Sequence, residues 1–465
     1  YMKPAWHLRW LEQSAGKEQF DKAMQHYFEQ WKFKHPYPED VYQAWHEAGM
    51  DAPWFITAMN TTAKADFKLI SVEKDPAVEN KWLLRVENRS SVNGPLSVTA
   101  LRKNEVVKTE WFPPQAAQRL IEMNAPSDAD AFVLDHERVT LDVRRRNNYR
   151  RTSGVLPGVE PLSVRLLAAT PDHNRTTTGI LPWVGWNLYD HAQLGLLVYN
   201  PPLPSPRLQY YLAPAFATGS KTWTGLADVR AHLFNLPFTQ KTTLGVNFKS
   251  FHFAHNETLN FRARYTRLTP SIRVELPEHS QTFRHDLQFR TLYLWREEAV
   301  FTDDVFSGTE NRRSVIHDLI YEGAQKKWVN PFYYRAGLEW QNYKDPFDRP
   351  ARYLRASAEW KQDFYYKPGR SLTARFYGGY FIKNTQRQRG AVSNDLARAS
   401  FALNPQGFND YRFDQLFFAR TATEGFWSRQ VSTNEGGFKG AFGAPYAGVI
   451  GNSNNFIVSL NLRAD

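Results

Sequence analysis

The sequence predicts a mainly β protein: a transmembrane antiparallel β-barrel of about 12 strands, preceded by a small β-sandwich and a short α-helical segment. Three observations carry this expectation. Mean hydropathy is only −0.56, yet the 465 residues include 32 Phe, 22 Tyr and 15 Trp. A membrane barrel produces that pairing, because polar lumen positions alternate with lipid-facing apolar ones and aromatics gather at the interfaces. The later part of the chain alternates with period 2 over segments of about 9–12 residues, long enough to cross a bilayer at a tilt; soluble strands average about 5–6. The chain also ends almost on a strand, as closure onto the first strand requires.

Residues 1–62 read as helical. Ala5, Leu8 and Leu11, then Phe20, Ala23, Met24, Tyr27, Phe28 and Trp31, recur at helical spacing. Two prolines between His35 and Pro38 break the pattern. A third helix is expected from Glu39 and Asp40, whose carboxylates suit a helix N-terminus, to Gly49 as its C-terminal cap. A fourth, short helix carries Trp54, Phe55 and Ile56.

Residues 63–143 read as about seven short strands in a sandwich. The apolar positions are Phe67, Leu69 and Val72; Trp82, Leu84 and Val86; Leu96, Val98 and Ala100; Val106 and Val107; then Phe132, Leu134, Val139 and Leu141. Asn93-Gly94 and Pro113-Pro114 supply turn signals.

Residues 144–465 read as the barrel. Phe261, Ala263 and Tyr265 are set against Arg262, Arg264 and Thr266. Leu287, Phe289, Tyr293 and Trp295 alternate with Asp286, Gln288, Arg290 and Arg296. Leu354, Ala356 and Trp360 alternate with Arg355, Ser357 and Glu359, and Phe376, Tyr380 and Ile382 with Arg375, Tyr377 and Lys383. The last segment sets Val458, Leu460 and Leu462 against Ser459, Asn461 and Arg463. About 310 residues at roughly 25 per strand and connection give about 12 strands. Trp183, Trp186, Tyr210, Tyr211, Tyr333, Tyr334, Tyr365 and Tyr366 are candidates for interfacial girdles. A soluble barrel with an apolar interior shows the same alternation, so periodicity alone leaves both open.

Lys and Arg number 58 against 47 Asp and Glu, a formal charge of +11. The one dense basic cluster is Arg144, Arg145, Arg146, Arg150 and Arg151. None of the helix-turn-helix, zinc-finger or RNP signatures accompanies it, so no nucleic-acid partner is expected. With no cysteine there is no disulfide, thiolate metal site or cysteine nucleophile. The zinc motif H-E-x-x-H is missing: neither His46-Glu47 nor His136-Glu137 has a second His four positions on. There is no G-x-S-x-G elbow and no phosphate loop. Gly378-Gly379 and Gly436-Gly437 suit strand bends. Asp303 and Asp304 are expected to be a solvated loop pair, and Asn88, Asn174 and Asn256 open glycosylation sequons.

The first 62 residues nevertheless carry a recognisable pattern. YMKPA from Tyr1, the stretch from Glu18 to Gly49 containing WKFKHPYPED at Trp31–Asp40, and DAPWFITAMNTT from Asp51 resemble the end of the catalytic domain of M1-family (gluzincin) zinc aminopeptidases. The β region up to LDVRRRNN, Leu141–Asn148, is similar to the sandwich that follows in that family. The combination with a barrel resembles large M1-like proteins of Bacteroidota. The resemblance implies one catalytic residue, Tyr1, at the position of the tyrosine whose phenol hydrogen-bonds to the zinc-bound tetrahedral intermediate; a phenol suits a developing oxyanion. Lys3 matches the motif without an implied catalytic role. The family's zinc ligands and general-base Glu precede this Tyr, so zinc is expected only in an upstream domain, and no metal or cofactor in this chain.

The resemblance implies the membrane-anchored C-terminal portion of a zinc metallopeptidase in the bacterial outer membrane, with lipid and a peptide substrate as partners. There zinc would polarise the peptide carbonyl and activate water. The alternatives are a non-catalytic scaffold subunit of an outer-membrane assembly or secretion complex, partnered by other outer-membrane proteins, and a transport pore lined by Arg262, Arg264, Arg284 and Arg290.

Overall fold

The computed structural model describes residues 2–464 except 115–117, 171–174, 203–205, 235, 257, 259–260, 278–281, 303–304, 328, 345–349, 388–400, 405–410, 415–430, 434, 436–438 and 442–452. The protein is mainly β, with its four α-helices before residue 61. Among the described residues no helix is long and apolar enough to cross a membrane, which bears only on helices. The chain divides into two compact units, Tyr1–Thr178 with Pro201–Arg207, and Gly179–Asn200 with Leu208–Asp465.

The first unit opens with helices α1 (Met2–Ala15), α2 (Lys17–Trp31), α3 (Pro38–Glu47) and α4 (Pro53–Asn60). Gly16, at φ 87°, separates α1 from α2. α3 begins where the acidic pair indicated: the Tyr37 N–H donates to the Asp40 carboxylate at 2.8 Å. It ends at Gly49, φ 80°. There the Gly49 N–H bonds the His46 carbonyl and the Met50 N–H the Trp45 carbonyl, each at 2.8 Å, a Schellman closure.

Strands β1 (Phe67–Lys74), β2 (Lys81–Asn88), β3 (Leu96–Arg102), β4 (Glu105–Phe112), β5 (Gln118–Asn124), β6 (Ala131–Leu134), β7 (Tyr149–Arg151) and β8 (Leu162–Leu166) follow. β1–β7 give a three-stranded sheet, β1-β2-β5, and a four-stranded sheet, β4-β3-β6-β7, while β8 is an edge strand of the larger sheet described below. A register shift between Leu69 and Ser71 explains why Val72 falls out of phase with Phe67 and Leu69. Val139 and Leu141 are not in a strand. They lie in a turn, where buried Asp135 accepts the Val139 N–H at 2.8 Å and the Thr140 N–H at 3.1 Å, and Leu141 has φ 52°. β5 was not legible, because its two inward residues, Ile121 and Met123, give too short a pattern.

One core serves the helices and both sheets of this unit. It contains Trp10, Trp45, Trp54 and Phe55 from the helices and Leu84, Val98, Phe132 and Leu134 from the strands. Trp10 is fully buried, packs tilted against Trp54 at a ring separation of 4.2 Å and donates its indole N–H to the Pro95 carbonyl at 2.9 Å. The Asn93-Gly94 turn signal thus has a packing reason: a Cβ on Gly94 would stand 2.4 Å from the Trp10 ring.

The second unit holds strands β9 (Thr176–Asn187, from Gly179 on), β10 (His191–Tyr199), β11 (Leu208–Ala217), β12 (Thr222–Phe234), β13 (Lys241–Asn256), β14 (Phe261–Glu275), β15 (Phe283–Thr302), β16 (Val305–Gln325), β17 (Phe332–Lys344), β18 (Pro350–Lys367) and β19 (Arg370–Asn384). The short β20 (Val431–Thr433) and β21 (Lys439–Ala441) and the last strand, β22 (Phe456–Ala464), complete it. β20 and β21 pair with each other. The larger sheet has 13 strands. Of these, β9–β19 and β22 form an antiparallel meander in which each strand pairs with the next, ending on β19–β22. Among the described residues there is no β9–β22 pairing. Strand lengths run from 9 residues in β10 to 21 in β16, beyond the expected upper end.

The two faces of this meander are inverted relative to a soluble protein. Val246, Ile272, Phe289, Trp360, Phe376 and Leu460 are between 38% and 62% exposed. Lys249, Arg267, Asp318, Glu339 and Arg355 are no more than 5% exposed. The expected phase holds on β15, β18, β19 and β22. On β14 it is corrected: Tyr265 (0%) shares the buried face with Arg267 (4%) and Thr269, whereas Arg262 and Arg264 share a face with Leu268 and Ile272. The apolar Phe261–Tyr265 stretch is the buried one, because it packs beneath Phe413.

Because Trp10 has no room to move, Gly94→Ala is expected to cost the first unit about 1–3 kcal/mol through overpacking. Denaturant unfolding followed by Trp fluorescence checks this; an unchanged midpoint would count against the Trp10 packing.

Candidate functional site

The residues singled out by the peptidase resemblance lie in the first unit. Tyr1 lies outside the described residues. Lys3 sits in the first turn of α1, and its ammonium donates to the Thr61 carbonyl at 2.7 Å. Burial lowers its pKa. One turn on, the His7 Nδ1–H donates to the Lys3 carbonyl at 2.8 Å. Burial holds His7 below its ordinary value, against that hydrogen bond. Trp54 and Phe55 are core residues. The segment therefore presents a helix start fixed by its own side chains, with Lys3 as an anchor.

His46, exposed on α3, bonds Asp51 at 2.5 Å, and His136 bonds Glu137 at 3.1 Å. Among the described residues no three or more His, Asp or Glu gather to hold a metal. The basic cluster is partly structural: Arg144 pairs with Asp66 at 3.2 Å and Arg145 with Asp135 at 2.9 Å. Asp303, Asp304, Asn174 and Gly436-Gly437 lie outside the described residues.

The densest chemistry is on the buried face of the second unit, where residues 411–414 lie against it. Glu339 of β17 is the hub. Its carboxylate accepts from the Tyr353 hydroxyl at 2.7 Å and the Tyr411 hydroxyl at 2.6 Å. It pairs with Arg355 of β18 at 3.1 Å and with Arg412. Both arginines also reach Glu435, at 2.9 and 3.1 Å. Two cations thus face two carboxylates with donors on every side, the condition under which buried ions persist.

A second group surrounds Asp414. Arg267 of β14 lies 2.5 Å away and Arg290 of β15 3.3 Å away, and Arg290 also holds Asp318 at 2.7 Å. Lys249 of β13 donates to the Phe413 carbonyl at 2.6 Å, and the Tyr265 hydroxyl to the Tyr411 carbonyl at 2.9 Å. Phe413, with no exposure, contacts Tyr265, Phe251 and Phe253 at ring separations of 4.7, 5.3 and 5.9 Å. Next to this group lies a polar cavity of about 520 Å³, lined by β11–β15 and Asp414.

Of the four arginines expected to line a pore, Arg290 reaches this cavity. Arg262 and Arg264 bond backbone carbonyls, of Gly219 and Trp223, on the opposite phase of β14. Arg284 is exposed. Glu339, Asp318 and Arg267 were missed as a site. Their signal was present as charged residues in the polar phase of long strands. Asp414 and Glu435 lie in the connection between β19 and β22 and carry no periodic signal.

One further cluster has the composition of a hydrolytic triad without its order. Ser220 and His252 both bond Asp190, each at 2.6 Å. A triad needs the imidazole between the hydroxyl and the carboxylate, so this cluster fixes the turn after β9 and does not activate Ser220.

No family model matches the chain, and no curated protein matches it.

Two outcomes follow from these contacts. Glu339→Gln removes one of the two carboxylate charges facing Arg355 and Arg412 and is expected to destabilise the second unit by about 3–5 kcal/mol. Glu359→Gln, which breaks a partly exposed pair with Arg375, should cost no more than about 1 kcal/mol. Urea unfolding of the two variants separates the two. The fold favours neutral His7, so its contribution is complete above pH 6.5 and is lost as pH falls through the lowered value. His7→Gln should therefore flatten the acid limb of the first unit's stability curve; an unchanged limb would overturn this assignment.

Proposed function

We propose that the chain is an outer-membrane β-barrel that tethers an M1-like zinc peptidase portion at one face of the bacterial outer membrane. In this reading the meander closes by pairing β22 with β9, and the two small sheets of the first unit form a sandwich. The observation that carries the barrel is the inversion of the faces. A soluble barrel places its apolar phase inside and its charges in water. Here a broad apolar phase is exposed while Lys249, Arg267, Glu339 and Arg355 are buried, the arrangement that a lipid exterior rewards.

Aromatic rings support it. On the apolar phase Phe332 stacks 5.0 Å from Trp360, and Tyr334 lies 6.2 Å from Trp360 and 6.4 Å from Phe283. That row crosses β15, β17 and β18 near one end of the strands, as an interfacial girdle does. Adjacent residues on a regular strand point to opposite faces, so only one of Tyr333 and Tyr334 joins it: Tyr333 turns inward to Glu322 at 3.1 Å. The peptidase half rests on YMKPA and WKFKHPYPED, and its zinc would be held by residues outside 1–465. The network around Glu339 favours a filled, rigid interior, suited to an anchor.

Leu460 in β22 and Leu120 in β5 are 62% and 51% exposed. A lipid-facing Leu460→Arg should cost about 2–4 kcal/mol and reduce membrane integration. Leu120→Arg faces water and should stay within about 0.5 kcal/mol of the parent. Equal, small effects, or recovery of the protein in the soluble fraction, would overturn the barrel.

A further inference from the structure

In the first unit, the stretch after β7 turns its apolar side chains into water. Val155, Leu156 and Val159 in the loop, and Leu162, Val164 and Leu166 on one phase of β8, are between 53% and 97% exposed. Such a concentration of exposed apolar side chains marks an interaction surface.

The loop's backbone is tied to its own neighbours. The Arg151 N–H donates to the Pro157 carbonyl at 2.7 Å, and the Val159 N–H to the Leu156 carbonyl at 3.2 Å. The Leu156 carbonyl also accepts the Arg151 guanidinium at 3.0 Å, and the Pro161 carbonyl accepts the Thr176 N–H at 3.0 Å. Pro157 and Pro161 have no N–H to satisfy. These bonds lower the cost of taking the loop, with Val155 near its tip, out of water.

Positive charge remains at the base of the loop after the acids are counted. Asp66 and Asp135 pair with Arg144 and Arg145, and Asp142 accepts the Phe67 and Arg144 N–H groups. Glu137 bonds His136, and Asp130 accepts the Lys103 N–H. Glu160 bonds the Thr176 hydroxyl at 3.0 Å and lies among Arg138, Arg145 and Arg146. Among the described residues Arg150 and Arg151, which lead into the loop, form an ion pair with no carboxylate.

We infer that residues 150–166 form a docking surface for an anionic phospholipid membrane: the apolar side chains enter the headgroup boundary, and Arg150 and Arg151 meet the lipid phosphates. Apolar insertion and attraction to anionic headgroups are the two terms that hold a peripheral element on a bilayer, and guanidinium suits phosphate oxygens. The inference goes beyond the barrel, because every residue it uses lies in the first unit.

The absence of cysteine allows a direct test on the full protein. Val155→Cys is labelled with an environment-sensitive fluorophore, and Val78→Cys, 48% exposed, is the control. Each is combined with vesicles of phosphatidylcholine, alone or mixed with phosphatidylglycerol, carrying a doxyl quencher near the headgroup. With phosphatidylglycerol, the label at 155 should shift to the blue and be quenched roughly twofold or more; the label at 78 should do neither. Arg150→Gln with Arg151→Gln should remove the dependence on phosphatidylglycerol, and Arg150→Lys with Arg151→Lys should retain it, at an unchanged unfolding midpoint of the first unit. A label at 155 that stays as wet as the label at 78 would overturn the surface. So would a blue shift without lipid quenching, which means that protein covers the loop, or equal quenching with and without phosphatidylglycerol. The label reads position 155 itself, so a protein that fails the Leu460→Arg test of the barrel and is still quenched at 155 keeps this surface, and an inserted protein with a wet 155 loses it.

Discussion

The second unit depends on one constraint: its strands expose apolar side chains on one face and bury charged ones on the other, so the buried charges need partners within the protein. Glu339 meets it most completely, with two tyrosine hydroxyls and two guanidinium groups on its carboxylate. Neither β17 nor β18 can supply this set alone. Tyr411, Arg412 and Glu435 come from the connection between β19 and β22. The strands therefore build half of an ion network, and the connection supplies the other half.

The first unit solves the opposite problem by ordinary means. Its apolar side chains meet in one core, and Trp10 joins the helices to the strands through Trp54, the Pro95 carbonyl and the space above Gly94. Its buried acids are bonded within the unit, Asp135 by Arg145 and Asp66 by Arg144. The first unit thus buries mainly apolar side chains, whereas the second buries ion pairs beside its smaller apolar clusters. The low mean hydropathy and the high aromatic content are the sum of these two solutions.

Much of this was legible in residue order. The α3 boundaries followed from Asp40 and Gly49, and the phase of β15, β18, β19 and β22 from simple alternation. Alternation failed on β14, where an apolar run packs beneath Phe413 and looks like an outward face. It failed again at Val139 and Leu141, where side-chain hydrogen bonds to Asp135 stabilise a turn over a strand. The site was half legible: Arg290 and Arg355 stood in the polar phase, while Asp414 and Glu435 belong to a stretch with no period. Sequence position gave no hint that these acids meet arginines on distant strands.

That distance has an entropic meaning. Most strand pairs join neighbours in the chain, across short loops. Lys249 and Phe413 are 164 positions apart. Closing a loop of that length costs only about 2 kcal/mol more than closing one of about 15 residues, because the cost grows with the logarithm of length. Connectivity therefore neither forces the segment into place nor strongly opposes it. Its residence is decided by the contacts it makes on arrival, and its hold is as adjustable as those contacts are.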